Sequence, residues 1–340
     1  MLSLATVLYF QDSAAAAAAM CRRTPTYGDR LLQARLHLLT AWFDERDTSA
    51  RVRVADAAVA ILEGGEVTAG PDMQAATLLS RGYYRFLAGQ GIERGDLARG
   101  RSMLSPYTPS WEWAWAQLIG IQWTRSLDLV QAAADCRALI PRADEHGHEI
   151  FVVQILLHLA EIECWLGHVG QAKKLAAQVA VGIEQTGQRR WRALAYYIRA
   201  LPDAYLGEVE SARAAAGRGL EIASADDDPY VAIPLLGVLG FIAITLGEFE
   251  EADRYFSRGD ELVVSMGLAE PARHRFYGDH MEALLAKGDL TRAADLQQRL
   301  EGRVQVASYP WLKMITARGR AMLQAAYGDL DASADAATQA

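Results

Sequence analysis

The sequence predicts an all-α protein, an α-solenoid of antiparallel helical hairpins with a period of about 40 residues. The first observation is a glycine that recurs at intervals of 40, 40, 41 and 40 residues, namely Gly167, Gly207, Gly247, Gly288 and Gly328. The second is that apolar residues spaced by three and four precede and follow each of these glycines. Because both features repeat in phase, the 340 residues extend one core along an axis instead of filling a single compact domain.

Each turn glycine is predicted to end the first helix of a hairpin, because glycine readily adopts the left-handed conformation that ends a helix. Acidic residues that can cap the second helix follow four of the glycines, namely Glu208, Glu248, Asp289 and Asp329. Small residues that let two helices cross closely stand five positions after the glycines, namely Ala172, Ala212, Ala252, Ala293 and Ser333. The turns between hairpins keep the grid at Gly147, Gly187, Asp227 and Gly267. Prolines suited to the first turn of a helix stand near the starts of first helices, at Pro109, Pro229, Pro271 and Pro310.

The repeat pattern divides the chain into three parts. Residues 109–340 form the regular solenoid, residues 29–108 form irregular helical repeats, and residues 1–28 are expected to be disordered or partly helical. The uncharged stretch from Pro229 to Gly247 falls in phase with the repeats, so we interpret it as a buried helix and not as a membrane span. The last hairpin is short, which leads to the expectation of a truncated product with an exposed apolar end.

The charge balance disfavours extensive electrostatic binding to nucleic acid, because the sequence has 34 Lys and Arg against 42 Asp and Glu, a net charge of −8. The cysteines Cys21, Cys136 and Cys164 are few and far apart, which favours a reducing, cytoplasmic location. No metal or other cofactor is expected, because His146 and His148 lie on a turn without a ligand pattern around them. The tryptophans Trp111, Trp113, Trp115 and Trp123 are expected to fill the core, although a flat ligand could also stack there.

The segment LGEFEEADRYF, from Leu246 to Phe256, resembles the core of a tetratricopeptide repeat, a family whose period is usually about 34 residues. Glu270-Pro271, Lys287-Gly288-Asp289-Leu290 and Tyr309-Pro310-Trp311 extend the likeness. With them the chain, from about Asp29 onward, resembles the helical-repeat region of large ATP-binding LuxR-family transcriptional regulators of actinobacteria. The resemblance implies a sensor region between an ATPase and a DNA-binding helix-turn-helix. No G-x-x-x-x-G-K-[ST] sequence occurs and nothing after Gly328 could form a helix-turn-helix, so neither activity transfers to a residue here.

The predicted function is therefore non-enzymatic recognition, with a protein or small effector bound in the concave groove and no direct contact to nucleic acid or membrane. A free-standing adaptor that bridges proteins is the alternative, and an enzyme on a solenoid scaffold is the third reading. We expect the first helices to present a basic and aromatic stripe toward the groove. The residues of this stripe stand fifteen, eleven and eight positions before the turn glycines. Its members are Arg192, Tyr196, Arg199, Arg273, Tyr277, His280, Lys313 and Arg320. Such a stripe suits an acidic, partly hydrophobic peptide or an anionic ligand, unless the arginines are simply solvated or paired within the protein.

Overall fold

The computed structural model describes residues 2–11, 13–65, 67–106, 108 and 110–338, and over these residues it contains eighteen α-helices and no β-strand. The first six helices are α1 (Leu2–Gln11), α2 (Ala14–Arg23), α3 (Arg30–Phe43), α4 (Thr48–Glu63), α5 (Pro71–Leu87) and α6 (Arg94–Met103). The other twelve form hairpins, α7 (Trp111–Leu127) with α8 (Leu129–Glu145), α9 (Glu149–Trp165) with α10 (Val169–Thr186), α11 (Arg192–Tyr205) with α12 (Val209–Ala225), α13 (Pro229–Thr245) with α14 (Phe249–Ser265), α15 (Tyr277–Ala286) with α16 (Leu290–Val306), and α17 (Pro310–Ala326) with α18 (Leu330–Ala337). The predicted all-α solenoid of hairpins is confirmed.

The turns follow the predicted grid. All five turn glycines have φ between 73° and 86°, and the inter-hairpin position that lacks a glycine is filled by Asp227 with φ of 49°. Asp289 and Asp329 cap their helices by accepting a backbone N–H bond three residues on. Glu208 and Glu248 occupy the same position without such a bond, because their longer side chains pair with Lys173 and Arg213 of the preceding second helix. Of the prolines expected in first turns, Pro229 and Pro310 begin α13 and α17, whereas Pro109 lies outside the described residues.

The small residues predicted at the helix crossings are buried, since Ala172, Ala212, Ala252 and Ala293 are all 0% exposed. Ser333, the equivalent residue in the last hairpin, is partly exposed. Elsewhere in α13 the close approach relies on glycine, because a Cβ added at Gly240 would lie 2.4 Å from the ring of Phe256. The hairpins are therefore packed at the register that the sequence predicts.

The tryptophan-rich helix α7 belongs to the core. Trp113 and Trp123 are fully buried, and the Trp115 ring stacks on Trp42 of α3 with 4.1 Å between centroids. The N-terminal helix α1 adds Tyr9 and Phe10 to the same aromatic cluster. These rings fill the space between the irregular repeats and the first regular hairpin.

The apolar helix α13 is held within the solenoid, where ten of its seventeen residues are buried between α11, α12, α14 and α15. Among the described residues there is no helix with the length and apolar character needed to cross a membrane.

The irregular N-terminal repeats fold back onto later repeats, so the helices α4 and α5 contact the chain between Met266 and Arg303 and close the superhelix there. The backbone N–H and hydroxyl of Thr48, at the start of α4, donate to the carbonyl oxygen of Met266 over 3.0 and 2.7 Å. The backbone N–H of Ala269 donates to the carbonyl oxygen of Leu87, at the end of α5, over 2.8 Å. The guanidinium of Arg303 in α16 reaches the carbonyl oxygen of Gly89 over 2.8 Å. These contacts enclose the inner face of the solenoid.

The segment between α14 and α15, residues 266–276, is called the interior loop below. The sequence placed the start of a first helix near Pro271, but only a single turn of 3-10 helix forms over Pro271–Arg273, and α15 begins at Tyr277. The hydrogen bonds to α4 and α5 hold the loop backbone out of a continuous helix. The interval of 41 residues between Gly247 and Gly288 contains this loop, and it is the one interval that departs from 40.

Candidate ligand site in the solenoid interior

The eight residues of the predicted stripe do not form one exposed surface. Arg192, Arg199 and Lys313 are exposed, Tyr196 and Arg320 are partly buried, and Arg273, Tyr277 and His280 are buried. Three of them bond to second helices: the Tyr277 hydroxyl donates to Asp260 over 3.2 Å, His280 Nε2 lies 3.1 Å from Asp253, and Arg320 pairs with Glu301 at 2.8 Å. Arg273, which belongs to the interior loop and not to a helix, alone reaches the solenoid interior.

The helical phase explains this result. The side chains that line the interior stand thirteen, ten and six residues before the turn glycines, namely Gln154, Leu157 and Glu161 in α9, Leu194, Tyr197 and Leu201 in α11, and Pro234, Gly237 and Phe241 in α13. At about 100° per residue, this set lies roughly 170° around the helix from the positions chosen for the stripe. The stripe therefore points away from the interior, so its members contact the second helices or are exposed to solvent. Periodicity identified the helices, but the concave face is mostly apolar and resembled ordinary core in the sequence.

The interior contains a chamber made of two adjoining cavities that share Glu161, Tyr197, Pro234 and Arg273. The cavities span about 690 and 500 Å³ of space between atoms, part of which is open to solvent, and a water molecule can be centred in only about 50 and 60 Å³ of it. The chamber thus has room for a compact guest of a few heavy atoms on each side, and a larger guest requires the walls to move.

One end of the chamber is charge-balanced. Arg190 pairs with Glu45 of the N-terminal repeats and with Asp228, the latter at 2.8 Å. The hydroxyl of Tyr9 donates to the other oxygen of Glu45 over 2.8 Å, and the Arg190 guanidinium lies over the Tyr9 ring at 4.6 Å. Two carboxylates and a tyrosine thus satisfy a single guanidinium. This cluster joins α1 and α3 to the regular hairpins.

In the middle of the chamber Glu161 holds two partners. It forms a buried ion pair with Arg125 of α7, and its second oxygen accepts the hydroxyl hydrogen of Tyr197 over 2.7 Å. Burial lowers the pKa of Arg125 to about 10, and the nearby Arg273 adds to the effect. Arg125 stays protonated at neutral pH, and its Nη2 has no acceptor among the described residues.

The interior loop brings two further guanidinium groups to the chamber. Arg273 is 7% exposed and lies 4.7 Å from the ring centroid of Tyr230; within the described part of the chain it has no carboxylate partner, and its Nε has no acceptor. Arg275 is stacked between Trp165 and Trp311, at 4.5 and 4.9 Å from their centroids. Burial lowers the pKa of Arg275 to about 10, so it too remains a cation at neutral pH.

Two buried histidines stand beside these cations. Burial, together with the charges of Arg125 and Arg273, holds the pKa values of His158 and His274 well below their usual range, so both rings are neutral at pH 7. Burial raises the pKa of Asp279 to about 6, with only Arg318 opposing the shift. The chamber therefore offers fixed positive charge and neutral hydrogen-bonding groups.

The groups that sequence reasoning considered for a metal lie elsewhere. His146 Nδ1 is 2.7 Å from the carbonyl oxygen of Arg142, on the turn after α8. In the part of the chain that the structure describes, no cluster of three or more His, Cys, Asp or Glu side chains has the geometry to hold a metal ion.

No protein-family model and no curated protein matches the chain. Solved structures match the chain. A Rap protein complexed with competence and sporulation factor superposes with a TM-score of 0.64 at 14% sequence identity, over 90% of this chain and 85% of that one. Cut9 in the APC/C hetero-tetramer Cut9-Hcn1 also matches, with a TM-score of 0.26 and 11% identity over 99% and 88% of the two chains. The chain has a tetratricopeptide-like helical-repeat fold.

Proposed function

We propose that the chain is a non-enzymatic sensor whose interior chamber binds a small effector or the end of a peptide. The observation that carries the proposal is Arg273, a buried cation without a carboxylate partner among the described residues, presented to the chamber by the one loop that interrupts the repeat. The Rap protein of similar fold was crystallised with competence and sporulation factor, which agrees with ligand recognition on such a scaffold.

The interior loop also connects the chamber to the closure of the superhelix. Its backbone bonds to Thr48 and Leu87 of the N-terminal repeats, while its side chains Arg273, His274 and Arg275 line the chamber. A ligand that binds more tightly to one packing of this loop shifts the balance between a closed and an opened superhelix. This arrangement supports a sensor over a rigid scaffold. The resemblance to LuxR-family regulators supplies the finer proposal that the signal is transcriptional.

Buried thiols support the non-enzymatic reading. Burial raises the pKa of Cys21 to about 11 and those of Cys136 and Cys164 to about 12. The three thiols are therefore protonated at neutral pH and are poor nucleophiles.

An adaptor is the second candidate, and one observation favours it. Leu206, Leu246 and Tyr327 each precede a turn glycine and are 45 to 55% exposed, so they place apolar side chains at equivalent points of the repeats, interrupted at Lys287. Exposed apolar patches mark surfaces that other proteins contact. In that reading these side chains, and not the chamber, form the functional surface.

A thermal-shift screen tests the sensor proposal. The purified chain is melted with a defined set of organic acids, amines, neutral metabolites and short peptides, in parallel with Leu194→Trp, which fills the chamber from α11. Val181→Trp, on the exposed face of α10, is the matched control, and circular dichroism verifies the folding of both variants. We expect at least one compound to raise the Tm of the parent and of the control but not of the filled variant. Saturable shifts that survive Leu194→Trp, or a complete lack of shifts, would contradict a chamber-based sensor.

A further inference from the structure

We propose that the ligand of the chamber is an organic anion, and that Arg273 binds its carboxylate together with Arg125. The inference rests on the proposed function and names the chemical class of the ligand. It depends on the positions of the charged groups in the interior, on which carboxylates already form ion pairs, and on which side chains line the cavity.

The charges that line the larger cavity do not balance. Four guanidinium groups, those of Arg51, Arg125, Arg190 and Arg273, face it together with the carboxylates of Glu45 and Glu161. Asp228 pairs with Arg190 from outside the lining, so these described groups carry four positive charges against three negative ones. An uncompensated charge in a protein interior is costly, because water solvates it far better than the protein does. Retaining several such cations in one chamber is reasonable where an incoming anion completes the set.

The acidic groups nearby are occupied or too distant to neutralise Arg273. Glu45 and Asp228 both bind Arg190, and Glu161 is shared between Arg125 and Tyr197. Asp279 lines the smaller cavity, but the charge that stabilises it is that of Arg318 on α17. Arg273 lies over the face of the Tyr230 ring. Its Nε is thus left for a ligand oxygen, as are the Nη2 of Arg125 and, in the smaller cavity, the Nε of Arg275, within the described residues.

The walls around these donors are apolar and aromatic, which describes the rest of the ligand. Trp42, Trp115 and Leu118 line one side of the larger cavity, and Trp191 and Leu194 line the other. A carboxylate joined to a compact apolar body fits such a site, since the head meets two guanidinium groups and the body meets rings. Small organic acids and the free C-terminus of a short peptide share this chemistry.

The probes that test the inference are three acids paired with their neutral amides. Benzoate, phenylacetate and hexanoate are titrated by calorimetry and by thermal shift against benzamide, phenylacetamide and hexanamide, in a low-chloride buffer. The tripeptide Ala-Leu-Phe, with a free and with an amidated C-terminus, distinguishes a peptide source from a small-acid source. We expect the free acids of at least one source to bind roughly ten- to a hundred-fold more tightly than the matching amides, as expected for charge-assisted hydrogen bonds.

Variants locate the effect. Arg273→Met keeps the length of the side chain and removes its charge, and it should abolish the preference for acids over amides. Arg273→Lys keeps the positive charge but lacks the planar guanidinium with its paired N–H donors, so it should bind the acids with intermediate affinity. The matched control is Arg199→Met, an exposed arginine of α11 in the originally predicted stripe, which should bind acids as the parent does.

The outcomes are distinguishable. Acid-selective binding that depends on Arg273 supports the inference. If Arg273→Met does not fold, the affinity of Arg273→Lys for the acids and the ratio of acid to amide affinity of the parent test the inference instead. Equal binding of acids and amides overturns it, as does acid binding that is lost in Arg199→Met and kept in Arg273→Met. Neutral or cationic compounds that bind in the chamber when no acid does overturn the anion while leaving the sensor in place. A chamber that binds nothing in either experiment removes the sensor itself.

Discussion

The hairpins from α9 to α14 and the repeat that follows them are built from the same period yet differ in what their buried residues do. In the regular hairpins the inner positions of the first helices hold mainly apolar side chains, and the crossings hold alanine. In the following repeat, the interior loop replaces the first turns of the helix and buries Arg273 and His274. Where the period holds, the buried residues are mainly apolar, and where it breaks, the loop buries a guanidinium and an imidazole.

The difference is also one of cost. Buried apolar side chains stabilise a solenoid through contacts between neighbouring repeats, whereas buried cations without partners detract from stability. The interior loop therefore places its least favourable groups in the chamber and secures its backbone by hydrogen bonds to Thr48 and Leu87. Functional sites in proteins commonly retain such locally unfavourable features.

The largest predicted effect comes from breaking the buried ion pair between Arg125 of α7 and Glu161 of α9. Glu161→Gln leaves the Arg125 charge buried without its partner, and we expect it to lower the free energy of unfolding by about 3–5 kcal/mol. Urea denaturation followed by circular dichroism measures the change. The control is Glu301→Gln, which breaks the exposed pair with Arg320 and should cost about 0–1 kcal/mol.

Arg273→Met supplies the contrast within the same chamber. Because Arg273 has no carboxylate partner in the described structure, its replacement by an apolar side chain should leave stability unchanged within about 1 kcal/mol, or raise it. A loss as large as that of Glu161→Gln would mean that Arg273 is a structural group like Arg125. The two regions would then not differ in the way argued above.

A further prediction concerns the crossings of the regular hairpins. Ala252 is 0% exposed, and Ala252→Leu should force α13 and α14 apart at a cost of about 1–3 kcal/mol. Ser333 occupies the same place in the last hairpin and is partly exposed, so Ser333→Leu is the matched control and should cost little. Equal melting temperatures for Ala252→Leu and the parent would show that the crossing is looser than the structure indicates.

The sequence predicted the hairpins well because their determinants are local. Turn glycines, crossing alanines and helix phases all act within one period, so each can be read from neighbouring residues. The interior loop and the closure depend on contacts such as Thr48 with Met266 and Leu87 with Ala269, which lie far apart in the chain and leave no local pattern. The interval of 41 residues was the one visible signal. Because the sequence does not reveal the loop, it predicts Arg273 on a helix face that does not exist. It also does not distinguish the interior positions of α9, α11 and α13 from ordinary core positions.

The smallest predicted effect tests whether the turn glycines are needed for their conformation alone. Gly207, between α11 and α12, has φ of 73° and no neighbouring atom within 4 Å of an added Cβ, so Gly207→Ala introduces backbone strain without a steric clash. We expect a loss of about 1 kcal/mol in the free energy of unfolding, measured in urea. The control lies ten residues on, where Gly217 sits inside α12 with equally open space. Because alanine is the better helix former, Gly217→Ala should instead raise stability by about 0.5–1 kcal/mol. Opposite signs from the same substitution would show that the period is fixed by backbone conformation at the turn. The same sign for both would mean that the glycines are kept for another reason, and that the regular repeats are less simple than their spacing implies.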